Sequence, residues 1–156
     1  MPLARATMHA QHEAIHIAQW PAVGELHQMA SRTYAFEGQC FVIAAGTVLT
    51  REDVLQGFNS AGGDPVARSL LESIPDDRPF LKDGGGAVIA PDASYVVAPV
   101  HGDRTTLLAE IDLVTCNKGK LYLDTHGHYA RPDIFQLTVD THPRHGVRFS
   151  SDDIAD

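Results

Sequence analysis

The stretch "ASRTYAFEGQCFVIAAG", Ala30 to Gly46, holds the two patterns that decide the fold. Its first part continues the helical run "GELHQMASRTYAFEGQ", which opens at Gly24 and ends near Gly38. Its second part, "CFVIAAG", is a short apolar and β-branched run closed by Gly46. A run of that length, bounded by turn residues, predicts a buried core strand. Helix followed directly by buried strand is the signature of layered α/β packing.

Working outward, "AIHIAQW" before the helix predicts a short buried strand, with Ile15 and Ile17 facing one way and Pro21 ending it. Before it, Met1 to about Glu13 has helical spacing, with Leu3, Ala6, Ala10 and Ala14 on one face. Pro2 suits a first turn, and the stretch reads as a helix already under way. Downstream, Thr47 to Gly86 reads as a Gly- and Pro-rich loop with short helices at Glu52–Phe58 and Val66–Leu71. "GGGAVIAPDASYVVAP" predicts a hairpin turning at "PDAS", and "TTLLAEIDL" a third strand. "DLVTCNKGKLYL" predicts a helix capped by Asp112. An irregular loop then leads to a strand over Ile134 to Val139, and the last dozen residues are expected to fray. The order of elements predicts a mixed sheet layered with helices.

The formal charge of −8 over 156 residues disfavours binding to nucleic acid or to an anionic membrane surface. No apolar run approaches the roughly 18 residues of a spanning helix, and the first dozen residues lack an apolar h-region and a cleavage-like site. The 2 cysteines make no disulfide framework, which points to a reducing cytoplasm.

Candidate chemistry is sparse. A nucleophilic cysteine needs an exposed, electropositive place. Cys40 starts a core strand, where the residue acts as a small hydrophobe. Cys116 reads as part of a surface helix beside Lys118 and Lys120, whose charges favour a thiolate, yet no acid–base partner is near in sequence. In "DTHGHYARPD", His126 and His128 with Asp124 and Asp133 form a His-x-His pair near carboxylates, a pattern that can hold a metal. Four ligands at zinc spacing are not evident, and His9, His12 and His16 form no HExxH pattern, so no metal is expected. Otherwise His128, Tyr129 and Arg131 tie the loop to its neighbours, with Asp124 or Asp133 as the partner of Arg131. Neither Gly62–Gly63 nor Gly84–Gly86 leads into the Lys-Ser/Thr of a phosphate loop; close backbone packing at a strand start is the expected use of the second. Trp20 stands at a strand end, suited to a core, an interface or a pocket wall.

Several segments, in order, resemble the C-terminal half of a nitrilase of the carbon–nitrogen hydrolase superfamily. They are "MPLARATMHAQHEAIHIAQWP", "ASRTYAFEGQCFVIAAG", "DGGGAVIAPDASYVVAP", "LLAEIDL" and "KLYLDTHGHYARPDIFQL", and they cover most of Met1 to Val139. The stretch "GHYARPD" is similar to a nitrilase-type "GHYSRPD" and points to nitrilases rather than to the wider amidases. The resemblance implies an α/β fold, the C-terminal half of an αββα sandwich over residues 1–140, with a polar tail over 141–156. It implies hydrolysis of a small-molecule nitrile to a carboxylic acid and ammonia by a Cys nucleophile, a Glu base and a Lys, with no cofactor. Neither Cys40 nor Cys116 matches that nucleophile, and the resemblance places all three catalytic residues upstream of Met1. No catalytic residue is therefore carried onto this sequence, and these 156 residues alone are expected to be inactive. What the resemblance carries over is a substrate pocket with Trp20 and Pro21 at one wall, and His128, Tyr129 and Arg131 near the site and the subunit contacts. Half a sandwich exposes apolar edges, so a homo-oligomer or self-association is expected, or a non-enzymatic module that complements a separate half.

Overall fold

A computed structural model describes residues 2–143 and 146–147. Its elements, in chain order, are α1 (Pro2–His9), β1 (Ile15–Gln19), α2 (Glu25–Gly38), β2 (Phe41–Ala45) and β3 (Val48–Thr50). There follow α3 (Arg51–Ala61), α4 (Pro65–Glu72), β4 (Phe80–Ile89), β5 (Tyr95–His101) and α5 (Val114–Gly119). The result is a mixed α/β fold, a 5-stranded sheet with helices around it.

The Ala30–Gly46 stretch folds as its pattern predicts. The chain leaves α2 through Gln39, which takes a left-handed conformation at φ 49 so that the next residues can turn back. Gln39 Nε2 donates to the Phe36 carbonyl at 2.7 Å and satisfies an acceptor that the helix end leaves open. The chain then enters β2, which pairs in parallel with β1 from Ile15 opposite Phe41 to Gln19 opposite Ala45. Two parallel strands need a crossover, and α2 supplies it.

β4 organises the rest. One edge pairs antiparallel with β2 (Val42 opposite Ile89) and then with β3 (Val48 opposite Asp83). The other edge pairs with β5. β2 and β3 are thus one line of chain, interrupted at Gly46 and Thr47, laid along a single edge of β4. A side chain at Gly46 would collide with the Gly84 carbonyl, so glycine is required at the break. Gly85 is held at φ +81, and a side chain there would strike the Val23 carbonyl. Gly85 serves close backbone approach, as the sequence suggests, but in the middle of β4 and not at a strand start, because β4 begins at Phe80.

The core lies between α2 and the sheet. Ala18, Ala35, Cys40, Val42 and Ile89 form it, with Trp20, Tyr34 and Tyr95 packed against its edge. Gln28 closes one side by donating from Nε2 to the Gly85 carbonyl at 2.7 Å. Directly opposite residues share a sheet face, so Ile17, Ile43, Val88 and Val97 form a row on the face away from α2. Ile17 in that row is 62% exposed. The outer side of α2 is also apolar, with Leu26 at 76% and Met29 at 59% exposed.

Several elements differ from the sequence expectation. α1 ends at His9, short of Glu13; Gln11 and His12 form a turn, with His12 at φ 57. The expected long loop over Thr47 to Gly86 contains β3, two helices longer than predicted, and the first half of β4. α3 starts at Arg51 because Thr50 and Asp53 form a reciprocal capping box. No strand forms over 105–113: the apolar pattern brings Leu107 over Gly86, but no backbone edge pairs with this segment. The strand expected over Ile134 to Val139 is likewise absent. A turn forms in which Phe135 N–H donates to the Arg131 carbonyl at 2.8 Å, and irregular chain follows. Alternation in sequence predicts burial on one side; a strand also needs a neighbour, and none is offered. Asp112 does act at the start of α5, accepting from Val114 N–H at 2.9 Å, although the cap position falls on Leu113. The fraying expected over the last dozen residues concerns positions mostly outside the described residues.

Ile89 is fully buried at the junction of α2, β2 and β5. Ile89→Ala is expected to cost about 2–5 kcal/mol and Ile89→Val about 0.5–1.5 kcal/mol. Urea unfolding followed by Trp20 fluorescence checks both; equal costs would mean that the site collapses freely around the cavity.

Candidate functional site

Two cavities flank α1. The first, of about 330 Å³, lies among α1, α2 and the β1–β2 sheet. Ala4, Arg5 and Met8 line it from α1, Trp20 from the end of β1, and Ser31 and Tyr34 from α2. The second, of about 620 Å³, lies between the other side of α1 and the chain after α5. Ala6, Thr7 and Ala10 line it from α1, facing Tyr129, Arg131 and Phe135. Both volumes suit small molecules.

Trp20 is held where the strand puts it. Its N–H donates to the Ala45 carbonyl at 2.9 Å, continuing the β1–β2 ladder one residue past β1. Its indole Nε1 donates to Ser31 Oγ at 3.2 Å, and its ring tilts over His27 at 4.7 Å. The flat face left over is cavity wall. Pro21 is exposed, and its carbonyl accepts from Thr47 N–H at 3.4 Å. His128 tilts over Tyr129 at 4.4 Å on the surface. Arg131 pairs with Asp133 through two bonds, at 2.9 and 2.8 Å, and not with Asp124. Both partners are exposed, so the pair adds little stability. The five sequence-derived pocket residues therefore stand in two groups, with α1 between them.

A polar knot that sequence reasoning did not single out closes the first cavity. Glu13 takes the Tyr34 hydroxyl on Oε1 and His16 Nδ1 on Oε2, the latter at 3.2 Å. The His16 ring stacks on Tyr34 at 3.9 Å. Burial, and then the Glu13 hydrogen bond, hold the Tyr34 hydroxyl far above its ordinary range, so it stays protonated. The signal in sequence was the close spacing of His9, Glu13 and His16; their convergence on Tyr34 depends on how α2 packs. Among the described residues, no three His, Cys, Asp or Glu side chains converge to hold a metal ion.

Neither cysteine is placed for attack. Cys40 is fully buried, and burial pushes its thiol up to about 12. Cys116 is not on an open surface, as its neighbouring lysines suggested. It is buried, its Sγ faces the Ala14 carbonyl at 3.7 Å, and burial raises its thiol more than Lys120 lowers it. Both are free thiols.

A mixed sheet with helices packed on it, and a cavity of small-molecule size at a strand end, define an α/β scaffold of the kind that carries ligand pockets. The chain belongs to the carbon–nitrogen hydrolase family, whose model matches residues 1–120. It is similar to an aliphatic nitrilase of Rhodococcus rhodochrous, 32% identical over 97% of this chain and 40% of that protein. It is 35% identical to a nitrilase of Talaromyces marneffei, over 90% of this chain and 46% of that protein. A nitrilase of Pseudomonas syringae pv. syringae is 34% identical, over 91% and 42%. The chain thus spans less than half the length of these curated relatives. No helix among the described residues is long and apolar enough to cross a membrane.

In the folded protein at pH 8, Cys40 is expected to react with Ellman's reagent at least about a hundredfold more slowly than free cysteine, and Cys116 more slowly than free cysteine. Both should react fully in guanidinium. A rapidly modified thiol in the native state would contradict the burial described here.

Proposed function

We propose that this chain forms the scaffold and one pocket wall of a nitrile-hydrolysing enzyme of the carbon–nitrogen hydrolase family, and that these 156 residues by themselves hydrolyse no nitrile. Residues 1–140 make up the C-terminal part of that domain, and 141–156 form a tail. The observation that carries the inactivity is the state of the thiols. Thioimidate formation needs a thiolate within reach of the nitrile carbon, and both cysteines are buried with raised thiols. The Cys, Glu and Lys of the reaction come from sequence outside these residues. Trp20 supplies apolar wall for the substrate in the 330 Å³ cavity, and Pro21 ends the strand that holds it. His128, Tyr129 and Arg131 belong to a second surface, suited to subunit contact. The partner is a small nitrile rather than nucleic acid or a membrane, which the charge of −8 favours. The two free thiols suit a reducing cytoplasm.

A second reading, a non-enzymatic assembly module, is favoured by one observation: the exposed Ile17 on the far face of the sheet and the exposed Leu26 and Met29 on the outer side of α2. Surfaces of this kind drive self-association or capture of a complementary half. Two measurements separate these outcomes. Incubation with an aromatic and an aliphatic nitrile should release no ammonia above background; turnover abolished by Cys40→Ala or Cys116→Ala would overturn the proposal of inactivity. Light scattering should report an oligomer, and a monodisperse monomer that melts cooperatively would count against the assembly module.

A further inference from the structure

His9 is the last residue of α1 and is only 5% exposed. Its ring is enclosed on three sides. Tyr34 of α2 stands edge-on at 4.4 Å, and His126, from the chain after α5, stands edge-on at 5.9 Å. Gly38 forms the third side. A Cβ on Gly38 would lie 2.6 Å from His9 Cδ2 and 2.7 Å from Nε2, so the nitrogen edge of the ring rests on bare backbone. Nε2 is buried, and among the described residues it has no hydrogen-bond partner.

A neutral imidazole fits this place. With its proton on Nδ1, Nε2 is a bare acceptor that loses only its hydration. An imidazolium does not fit, because both nitrogens must then donate. The surrounding charges do not rescue it. On α1 itself stands Arg5, a like charge. Before and within β1, Glu13 has both oxygens engaged, by Tyr34 and His16. On α2, Glu37 is taken by Arg5 at 2.8 Å. Cys40, just before β2, is a neutral thiol against the same glycine. On the outer side, His12, Lys120, Asp124 and His126 line a narrow cleft with His9. His126 Nδ1 is spent on Thr125 Oγ1 at 2.9 Å, while that hydroxyl donates to the Glu37 carbonyl at 3.0 Å. The 125–126 segment is thereby tied to the end of α2 and closes over His9.

α1 is held to α2 at two points about one turn apart, the Arg5–Glu37 pair and the His9 ring. We propose that His9 is an acid-sensitive latch: when its ring takes a proton, α1 and the 125–126 segment part from α2 while the β1–β2–β4 sheet stays folded. The sign follows from burial. Burial, then His126, lowers His9 from 6.5 to about 4 in the closed form. The latch is therefore fully closed above about pH 6.5 and loosens progressively as pH falls toward 4. Between pH 7 and pH 5 the open-to-closed ratio rises roughly 20-fold by proton linkage.

Hydrogen exchange with mass-spectrometric detection on the full chain, at pH 7 and pH 5 and corrected for intrinsic rates, tests this directly. Protection of the α1 amides is expected to fall roughly 20-fold, with β2 and β4 amides holding within about threefold. In His9→Phe, which keeps the ring and removes the titration, the α1 fall should be less than about threefold. Equal loss across α1, β2 and β4 would overturn the latch in favour of global acid unfolding. An undiminished fall in His9→Phe would overturn the role of His9. If that variant does not fold, NMR titration of the wild-type imidazoles decides. His9 charging well below 6.5 together with α1 opening supports the latch; His9 charging near 6.5 with α1 still protected overturns it.

Discussion

The fold depends on one strand being paired along both edges. β4 takes β2 and then β3 on one side and β5 on the other. The backbone approaches closely at Gly46, against Gly84 of β4, and at Gly85, against Val23 before α2. With β4 in place, Ile89 is brought beside Val42 under α2, and the core closes. The buried side of the helix is small and partly polar, Gln28, Ser31 and Ala35, so the sheet supplies much of the apolar core.

The consequence for the site runs through α1. This helix rests on α2 and the β1–β2 sheet by an ion pair and a buried ring, and a cavity lies on each side of it. Its two faces use different residues: Ala4, Arg5 and Met8 toward Trp20, and Ala6, Thr7 and Ala10 toward Tyr129 and Phe135. Membership of the carbon–nitrogen hydrolase family explains why these segments occur in this order. The geometry explains why neither cysteine lines these walls as an open thiol: both are buried. A thiol surrounded by packed side chains remains protonated, whatever its neighbours in sequence.

Much was legible from local pattern. α2, β2, β1 and the turn from Pro91 to Ser94 stand where apolar period and turn chemistry put them. At that turn Asp92 Oδ1 accepts from Ser94 N–H at 2.9 Å, a bond made within the stretch itself. β3 was not legible because three residues carry no period. The first half of β4 was hidden for a different reason: Lys82 and Asp83 are polar where they stand opposite Leu49 and Val48 of β3, away from the core. The segments 105–113 and 134–139 show the converse failure. They have strand-like alternation, yet no edge of the sheet reaches them.

By itself, the sequence determined the layered α/β class, the helix and strand around Ala30–Gly46, and the family, because these rest on interactions between residues close along the chain or on order alone. Only the tertiary structure decided that Cys116 is buried, that Arg131 pairs with Asp133, and that Trp20 and Tyr129 lie on opposite sides of α1. It alone brought His9, Tyr34, Gly38 and His126 into one enclosure. The physical reason is that desolvation and hydrogen bonding act through space. Residues separated by more than a hundred positions meet at His9, and no local pattern in the sequence announces that meeting.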